Sequence, residues 1–236
     1  MIDVRPFATL GGADHGWLKA RHHFSFANYH DPDRMNWGRL RVWNDDEIAP
    51  GTGFDPHPHR DMEIITYVRD GAITHRDSMG NEGRTAAGDV QIMSAGTGVV
   101  HSEYNLEPET TRLFQIWILP DRRGAKPNWG SRQFPKERRE AGFEVLASGR
   151  PQDAGKGALP LNVDGAVLAA TLKTGQRLTL PLAPGRAAYL VPARGAVTVN
   201  GVPVGTRDGA AIRDEAAISI AATQDAELVL VEVAAE

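Results

Sequence analysis

No cysteine occurs among the 236 residues. That excludes a disulfide framework and restricts any metal centre to nitrogen and oxygen donors. No apolar run approaches the roughly 18 residues that a membrane-spanning helix requires. The opening Met1-Ile2-Asp3-Val4-Arg5-Pro6 lacks the apolar core of a secretion signal. A cytoplasmic chain is therefore the expectation. Basic excess is missing too: Lys and Arg number 26 against 30 Asp and Glu, for a formal charge of -4. A protein that grips nucleic acid directly carries a basic surplus or stripe instead. The densest charge run, Lys136-Glu137-Arg138-Arg139-Glu140, mixes both signs and reads as a solvated face or linker. Long helical periodicity is absent. So is histidine after position 101, although the chain has 8 of them.

What the chain does have is glycine (25) and proline (15), scattered between short runs of alternating polarity. Residues 62–68, 113–118 and 226–233 alternate with a period of two, the mark of half-buried strands. Residues 197–204 read as a hairpin closed by the Asn200-Gly201 turn. Many short strands at close spacing point to an all-β sandwich or barrel with few short helices. The chain also echoes itself. Tyr67 is followed by Gly71-Ala72-Ile73-Thr74, and Tyr189 by Gly195-Ala196-Val197-Thr198. Each block leads to a second glycine turn, Gly88-Asp89-Val90 and Gly209-Ala210-Ala211. Two related barrels fit this echo better than one large one. The division is expected between Pro120 and Phe143, giving units of residues 1–130 and 131–236.

Histidine placement carries the chemistry. His57-Pro58-His59 puts two imidazoles at i and i+2, which point to the same face of a strand. Glu63 has the same parity and shares that face if the strand runs on without a bulge. His101-Ser102-Glu103 repeats the spacing on a second strand. Two strands of one barrel, each giving such a pair to the interior, can surround one ion. Imidazole with carboxylate suits iron, manganese, copper, nickel or zinc, whereas calcium and magnesium want oxygen shells. The residues alone leave Glu63 and Glu103 open as the carboxylate ligand.

The other histidines have weaker claims. His22 and His23, beside Phe24 and Phe26, read as hydrogen-bonded structural residues, with the mouth of the site as the alternative. His75 is expected to pair with Asp77, and His15 and His30 to be solvated. Trp37, Trp43, Trp117 and Trp129 read as core or interdomain packing. In the second half, the stretch that corresponds to His57 and His59 is Leu178-Thr179-Leu180-Pro181-Leu182, which is apolar. A barrel filled by side chains is expected there.

The segment Gly51-x5-His57-x-His59-x3-Glu63-x7-Gly71 closely follows the first cupin motif, and Gly88-x7-Gly96-x4-His101-x3-Asn105 looks like a variant of the second. The wider resemblance is to the pirin family of bicupins. It is carried by residues 21–29, 41–46, 56–63, 75–81 and 93–103, most of the N-terminal half. The C-terminal half shows only a general cupin likeness. The resemblance implies two cupin-type double-stranded β-barrels in tandem, a metal-binding one in 1–130 and one without ligands in 131–236. It implies His57, His59, His101 and Glu103 as ligands of one divalent transition metal, iron(II) foremost, with zinc, manganese, nickel, copper and cobalt as alternatives. It leaves Glu63 outside the ligand set, as a hydrogen-bond partner that fixes an imidazole tautomer.

The same resemblance implies quercetin 2,3-dioxygenase activity. A flavonol meets the metal through its 3-hydroxyl, Glu103 accepts that proton as general base, and oxygen opens the heterocycle. The alternative it implies is a non-enzymatic regulator that senses metal or redox state and acts by binding a protein partner. Neither reading needs nucleic acid or membrane, and a monomer is expected.

Overall fold

The computed structural model describes residues 1–135, 139–140 and 142–236. Among them are three short 3-10 turns, Phe7–Thr9, Pro32–Arg34 and Pro151–Asp153, and no α-helix. No helix among the described residues is long and apolar enough to cross a membrane. The glycine-bounded runs form four sheets, paired into two barrels as expected. The first barrel's large sheet has seven strands, ordered Asn128–Arg132, Val90–Ser94, Glu63–Asp70, Thr111–Ile118, Leu40–Ile48, Leu18–His22 and Gly11–Asp14. Its small sheet has four, ordered Thr52–His59, Val99–Asn105, Ala72–Asp77 and Glu82–Ala86. The second barrel repeats the plan. Arg186–Arg194 is paired on both sides as Glu63–Asp70 is, and Arg177–Pro181 is an edge strand of the small sheet as Thr52–His59 is. The echo around Tyr67 and Tyr189 therefore marks equivalent central strands.

Period-two alternation sorts each large sheet into two faces. On Leu40–Ile48 and Thr111–Ile118, Trp43, Phe114 and Ile116 face the other barrel. There they join Val167, Tyr189, Val191, Val229 and Val231 in one buried cluster. The two large sheets thus pack back to back, and the largest buried apolar cluster lies between the barrels. Inside the second barrel, Leu168, Leu230, Leu190 and Ala210 stand in register across four strands, all buried. Leu178 and Leu180 pack onto that interior, which fits the apolar filling expected there.

Three details depart from the sequence reading. Ile2–Arg5 leaves the first barrel and pairs with Gly209–Arg213 at the edge of the second barrel's large sheet. A division at residue 130 falls inside Asn128–Arg132, a strand of the first barrel. In the mixed charge run, Lys136, Glu137 and Arg138 lie outside the described residues, but Arg139 is not solvated. It is 0% exposed and donates to the Tyr67 hydroxyl at 2.7 Å and the Phe134 carbonyl at 2.8 Å, with the Glu144 and Glu227 carboxylates within 4.0 Å. An arginine can be buried this way because its terminal guanidinium N–H groups find acceptors and its charge finds carboxylates.

Polar ties cross the same interface. His23 meets the Tyr189 hydroxyl at 2.9 Å, directly over Gly209, where an added Cβ would lie 1.9 Å from that oxygen. Trp37 donates its indole N–H to the Ala188 carbonyl. Asp45, fully buried, accepts from Arg69 of its own barrel and from Arg207 of the other, the latter at 2.5 Å. Removing one member of such a cluster strands the remaining charges. Asp45→Ala should therefore lower unfolding free energy by about 3–5 kcal/mol. Arg76→Ala, which breaks the exposed Arg76–Glu82 pair, should change it by less than about 0.5 kcal/mol. Chemical denaturation midpoints compare the two, and equal losses would contradict the role given to Asp45.

Candidate metal centre

The small sheet of the first barrel turns one face inward. Thr52–His59 and Val99–Asn105 run antiparallel with His57 opposite His101 and His59 opposite Val99. The i, i+2 spacing then sends His57, His59 and His101 to one interior face, as the sequence spacing predicts. Between His101 and Glu103 the ladder slips by one residue, because Glu103 stands opposite Phe54 rather than Asp55. This bulge reverses parity before His57 and swings Phe54 into the cavity beside the rings.

The three imidazoles converge, with ring centroids 4.5–4.9 Å apart. Nε2 of His57 and Nε2 of His101 face each other at 3.1 Å. Two nitrogens that share one ion at ~2.1 Å each, at roughly a right angle, sit at that separation. The other ring nitrogens fix the tautomers. Nδ1 of His57 must carry the proton, since it lies 2.7 Å from the Asp55 carbonyl, which can only accept. His101 Nδ1 lies 3.3 Å from His75 Nδ1, and His75 Nε2 lies 3.1 Å from the Asp77 carboxylate. Read outward, His101 donates to His75 and His75 donates to Asp77. That order leaves Nε2 of both His57 and His101 with lone pairs aimed at the same point.

Asp77 anchors the relay. Burial alone would raise its pKa, but hydrogen bonds from Asn81, His75 and the Met79 backbone outweigh it and hold the carboxyl below its usual range. His75 is further fixed by stacking on Trp129, at 5.0 Å and 11°. Trp129 in turn lies so close over Gly83 that an added Cβ would be 2.3 Å from its ring. Burial, then the neighbouring His101 and His57 rings, depress His59 to about 4. Burial, then His57 and His75, depress His101 to about 3. Both rings are therefore unprotonated at neutral pH, the state a metal ligand requires. A donor set of neutral imidazoles with converging lone pairs fits a divalent transition metal.

The facing wall belongs to the large sheet. His22, Asn44, Gln115, Thr66 and Gln91 stand in register across five strands, one polar row inside the barrel. The row holds Glu103. Gln91 donates to its Oε1 at 2.6 Å, Gln115 to its Oε2 at 2.5 Å, and Thr66 to Oε1 at 3.3 Å. Burial still pushes Glu103 above its usual range, against the opposing pull of His75, Gln115, His57 and Thr66. At the His22 end, Nδ1 meets the Asn44 side-chain oxygen at 2.9 Å. Apolar clusters flank the row, Leu18, Ile48, Val68, Ile73 and Leu113 on one side and Ile64, Met93 and Val99 on the other. Between the walls lies a cavity of about 470 Å³.

Of the residues singled out in the sequence, the structure groups His57, His59 and His101 as possible ligands of one ion. Glu103 lines the same cavity, but its carboxylate groups with His75 and His101, because the two amides draw it toward the row. Glu63 does not orient an imidazole. Asp61 adopts φ 49, ending the histidine strand, and Glu63 starts a strand of the other sheet. There it accepts from Ser94 at 2.7 Å and from the Asn162 backbone at 3.1 Å, tying the barrels together. The expected His75–Asp77 pair is present, but its attachment to His101 was not foreseen. Trp117 stands edge-on to His59 at 5.0 Å and lines the cavity rather than an interdomain contact. His15, exposed as expected, also borders the cavity.

Comparison with known proteins adds relatives to this geometry. Residues 3–118 match the family model described as Pirin, and residues 145–233 the model described as Quercetinase C-terminal cupin domain. A pirin-like protein of Caulobacter vibrioides is 66% identical over 99% of this chain and 100% of its own length. A quercetin 2,3-dioxygenase of Escherichia coli K12 is 45% identical over 98% of this chain and 97% of its own. The crystal structure of the bacterial pirin YhhW of Escherichia coli, in complex with nickel(II), superposes with a TM-score of 0.94 at 43% identity, covering 100% of both chains.

Protein incubated with a divalent transition metal and desalted should retain about one equivalent by elemental analysis. His57→Ala/His59→Ala should lose it. Asp77→Ala, which unhooks the relay behind His101, should weaken affinity roughly 10- to 100-fold in a competitive chelator titration. Glu63→Gln should leave affinity unchanged and lower thermal stability. Metal retained by the double variant, or lost from Glu63→Gln, would contradict this arrangement.

Proposed function

The chain belongs to the pirin family, and on that premise we propose that it is a metal-dependent dioxygenase that opens the heterocycle of a flavonol such as quercetin. The observation that supports this reading best is the pairing of three convergent imidazoles with a buried carboxylate in one open, aromatic-edged cavity. A site that only stabilised the fold would be closed around its ion. This cavity falls within the range that takes small organic ligands, about 300–1,000 Å³.

His57, His59 and His101 hold the metal, taken here as iron(II), with Glu103 completing the set or standing next to it. The bound metal supplies Lewis acidity toward a substrate hydroxyl and the electronic means of reaction with dioxygen. Glu103 receives the hydroxyl proton. Its burial makes it more basic than an ordinary carboxylate, and the Gln91 and Gln115 amides hold both of its oxygens in place. Trp17, Phe54 and Trp117 give a flat ring apolar surface and keep water from it. His75 and Asp77 keep the proton of His101 on Nδ1, away from the cavity.

The competing reading is a regulator whose surface changes with the metal and whose output is a protein partner. Oxygen uptake separates the two. Protein reconstituted anaerobically with iron(II) should consume oxygen when quercetin is added. His101→Ala should abolish uptake, and Glu103→Gln should slow it by roughly 10²- to 10⁴-fold, the range for losing a general base. Metal-loaded protein that binds a partner according to the oxidation state of its iron, and consumes no oxygen with any flavonol, would replace the enzymatic reading with the regulatory one. Unchanged uptake in both variants would place the chemistry elsewhere.

A further inference from the structure

The polar row holds Glu103 but leaves Asp46, the other buried carboxylate of the cavity wall, without a partner among the described residues. Asp46 lies two residues beyond Asn44 on the interior face of Leu40–Ile48 and borders the cavity. It is 2% exposed, and its Oδ1 has no hydrogen-bond partner among the described residues. Cations are not scarce nearby. Asp45, the next residue back, takes both Arg69 and Arg207, but strand parity points Asp45 at the second barrel and Asp46 away from it. Gln115, on the adjacent strand, repeats the pattern. Its Nε2 is committed to Glu103, which fixes the amide orientation and leaves Oε1 without a donor.

Two buried acceptor oxygens left unpaired destabilise a fold. Both belong to residues that line the cavity, on the sheet facing the three imidazoles. Neither oxygen is open to solvent, so a ligand hydroxyl meets Asp46 through Oδ2, which keeps some exposed surface and also has no hydrogen bond among the described residues. The apolar surfaces of Trp17, Phe54 and Trp117 around the same cavity suit an aromatic ring as the carrier. We propose that the Asp46 carboxylate recognises a ring hydroxyl of a polyhydroxylated aromatic substrate, additional to the hydroxyl that reacts. The choice of a flavonol ring system rests on the dioxygenase reading, whereas the recognition site rests on the unpartnered Asp46 carboxylate at the cavity wall. Burial, then the Asp45 and Glu103 carboxylates, push Asp46 well above the usual carboxylate range. A site built to pair with hydroxyls discriminates strongly against analogues that lack them.

The test is anaerobic titration of the metal-loaded protein with quercetin and with 3-hydroxyflavone, which keeps the reacting hydroxyl and lacks the others. Binding is followed by tryptophan fluorescence. Wild type should prefer quercetin. Asp46→Leu should lower quercetin affinity roughly 10- to 100-fold, the loss of a hydrogen bond to a polar buried group, and leave 3-hydroxyflavone affinity unchanged. It should also raise Tm, because an apolar side chain replaces an unpaired oxygen. Asp46→Asn, of the same size and retaining one acceptor, should show a smaller loss and guards against a misfolded leucine variant. An unchanged preference for quercetin in both variants would overturn the proposal. So would equal loss of both ligands with a lowered Tm, the signature of a structural residue. Asp46-dependent preference without oxygen uptake in air would uphold recognition and remove the dioxygenase reading. Uptake with quercetin by wild type, with preference intact in both variants, would do the reverse.

Discussion

Placing His57 opposite His101 brings two ring nitrogens to 3.1 Å with lone pairs facing. Uncompensated, that contact is repulsive, and the first barrel is organised around enforcing it. The Asp55 carbonyl holds one ring by its Nδ1 proton, and the His75–Asp77 relay holds the other. Each device sits within the same small sheet as the ring it controls. The bulge before His57 supplies the Asp55 carbonyl, and Glu103 opposite His75 sets the depth of the relay. A cation is what turns this arrangement from repulsive to attractive, so the sheet register is itself the argument for a metal.

The second barrel shows the same frame without that constraint. Leu178 stands opposite Ile220 and Leu180 opposite Ile218 where the first barrel has its imidazole ladder. Its large sheet runs Leu168, Leu230, Leu190 and Ala210 in register, where the first runs Asn44, Gln115, Thr66 and Gln91. Two barrels of one plan have therefore divided the work. One spends its interior on polar groups, and the other fills its interior with side chains that need no partner.

Much of this could be read from the sequence because it depends on local period. The i, i+2 histidine pairs, the repeated block around Tyr67 and Tyr189, and the apolar stretch at Leu178 and Leu180 each lie within one strand and its neighbours in sequence. What escaped depends on a single dihedral or on distant register. Glu63 has the right parity, but the positive φ of Asp61 breaks the strand between it and His59. Ile2–Arg5 belongs to the second barrel because of a pairing with Gly209–Arg213, some 200 residues away, that no local pattern encodes. Arg139 sits in a run of mixed charge, and only the tertiary carbonyl, hydroxyl and carboxylate acceptors around it explain its burial. The polar row could be glimpsed as Asn44, Thr66, Gln91 and Gln115 interrupting apolar strands, yet that they form one line appears only when five strands are set side by side.

That line has a thermodynamic consequence that bears on why the second barrel is kept. Each buried polar atom left without a partner costs about 1–3 kcal/mol, and the first barrel interior holds two such oxygens, on Asp46 and Gln115. Its imidazole cluster adds repulsion that only a bound cation removes. A barrel with so polar an interior is poorly placed to stand on its own core. The cluster between the large sheets changes the balance, since fully burying a large apolar side chain contributes about 1.5–3 kcal/mol and Trp43, Phe114, Ile65, Ile116, Val229 and Val231 all lie there at 0% exposure. Val229 and Val231, with Val167, Tyr189 and Val191, lie on the second barrel's side of that cluster. The second barrel, Glu63 bonded to Asn162, and Asp45 bridging Arg69 to Arg207 are parts of one solution. They place the stabilising contacts outside the cavity, which leaves its lining free to be shaped by chemistry.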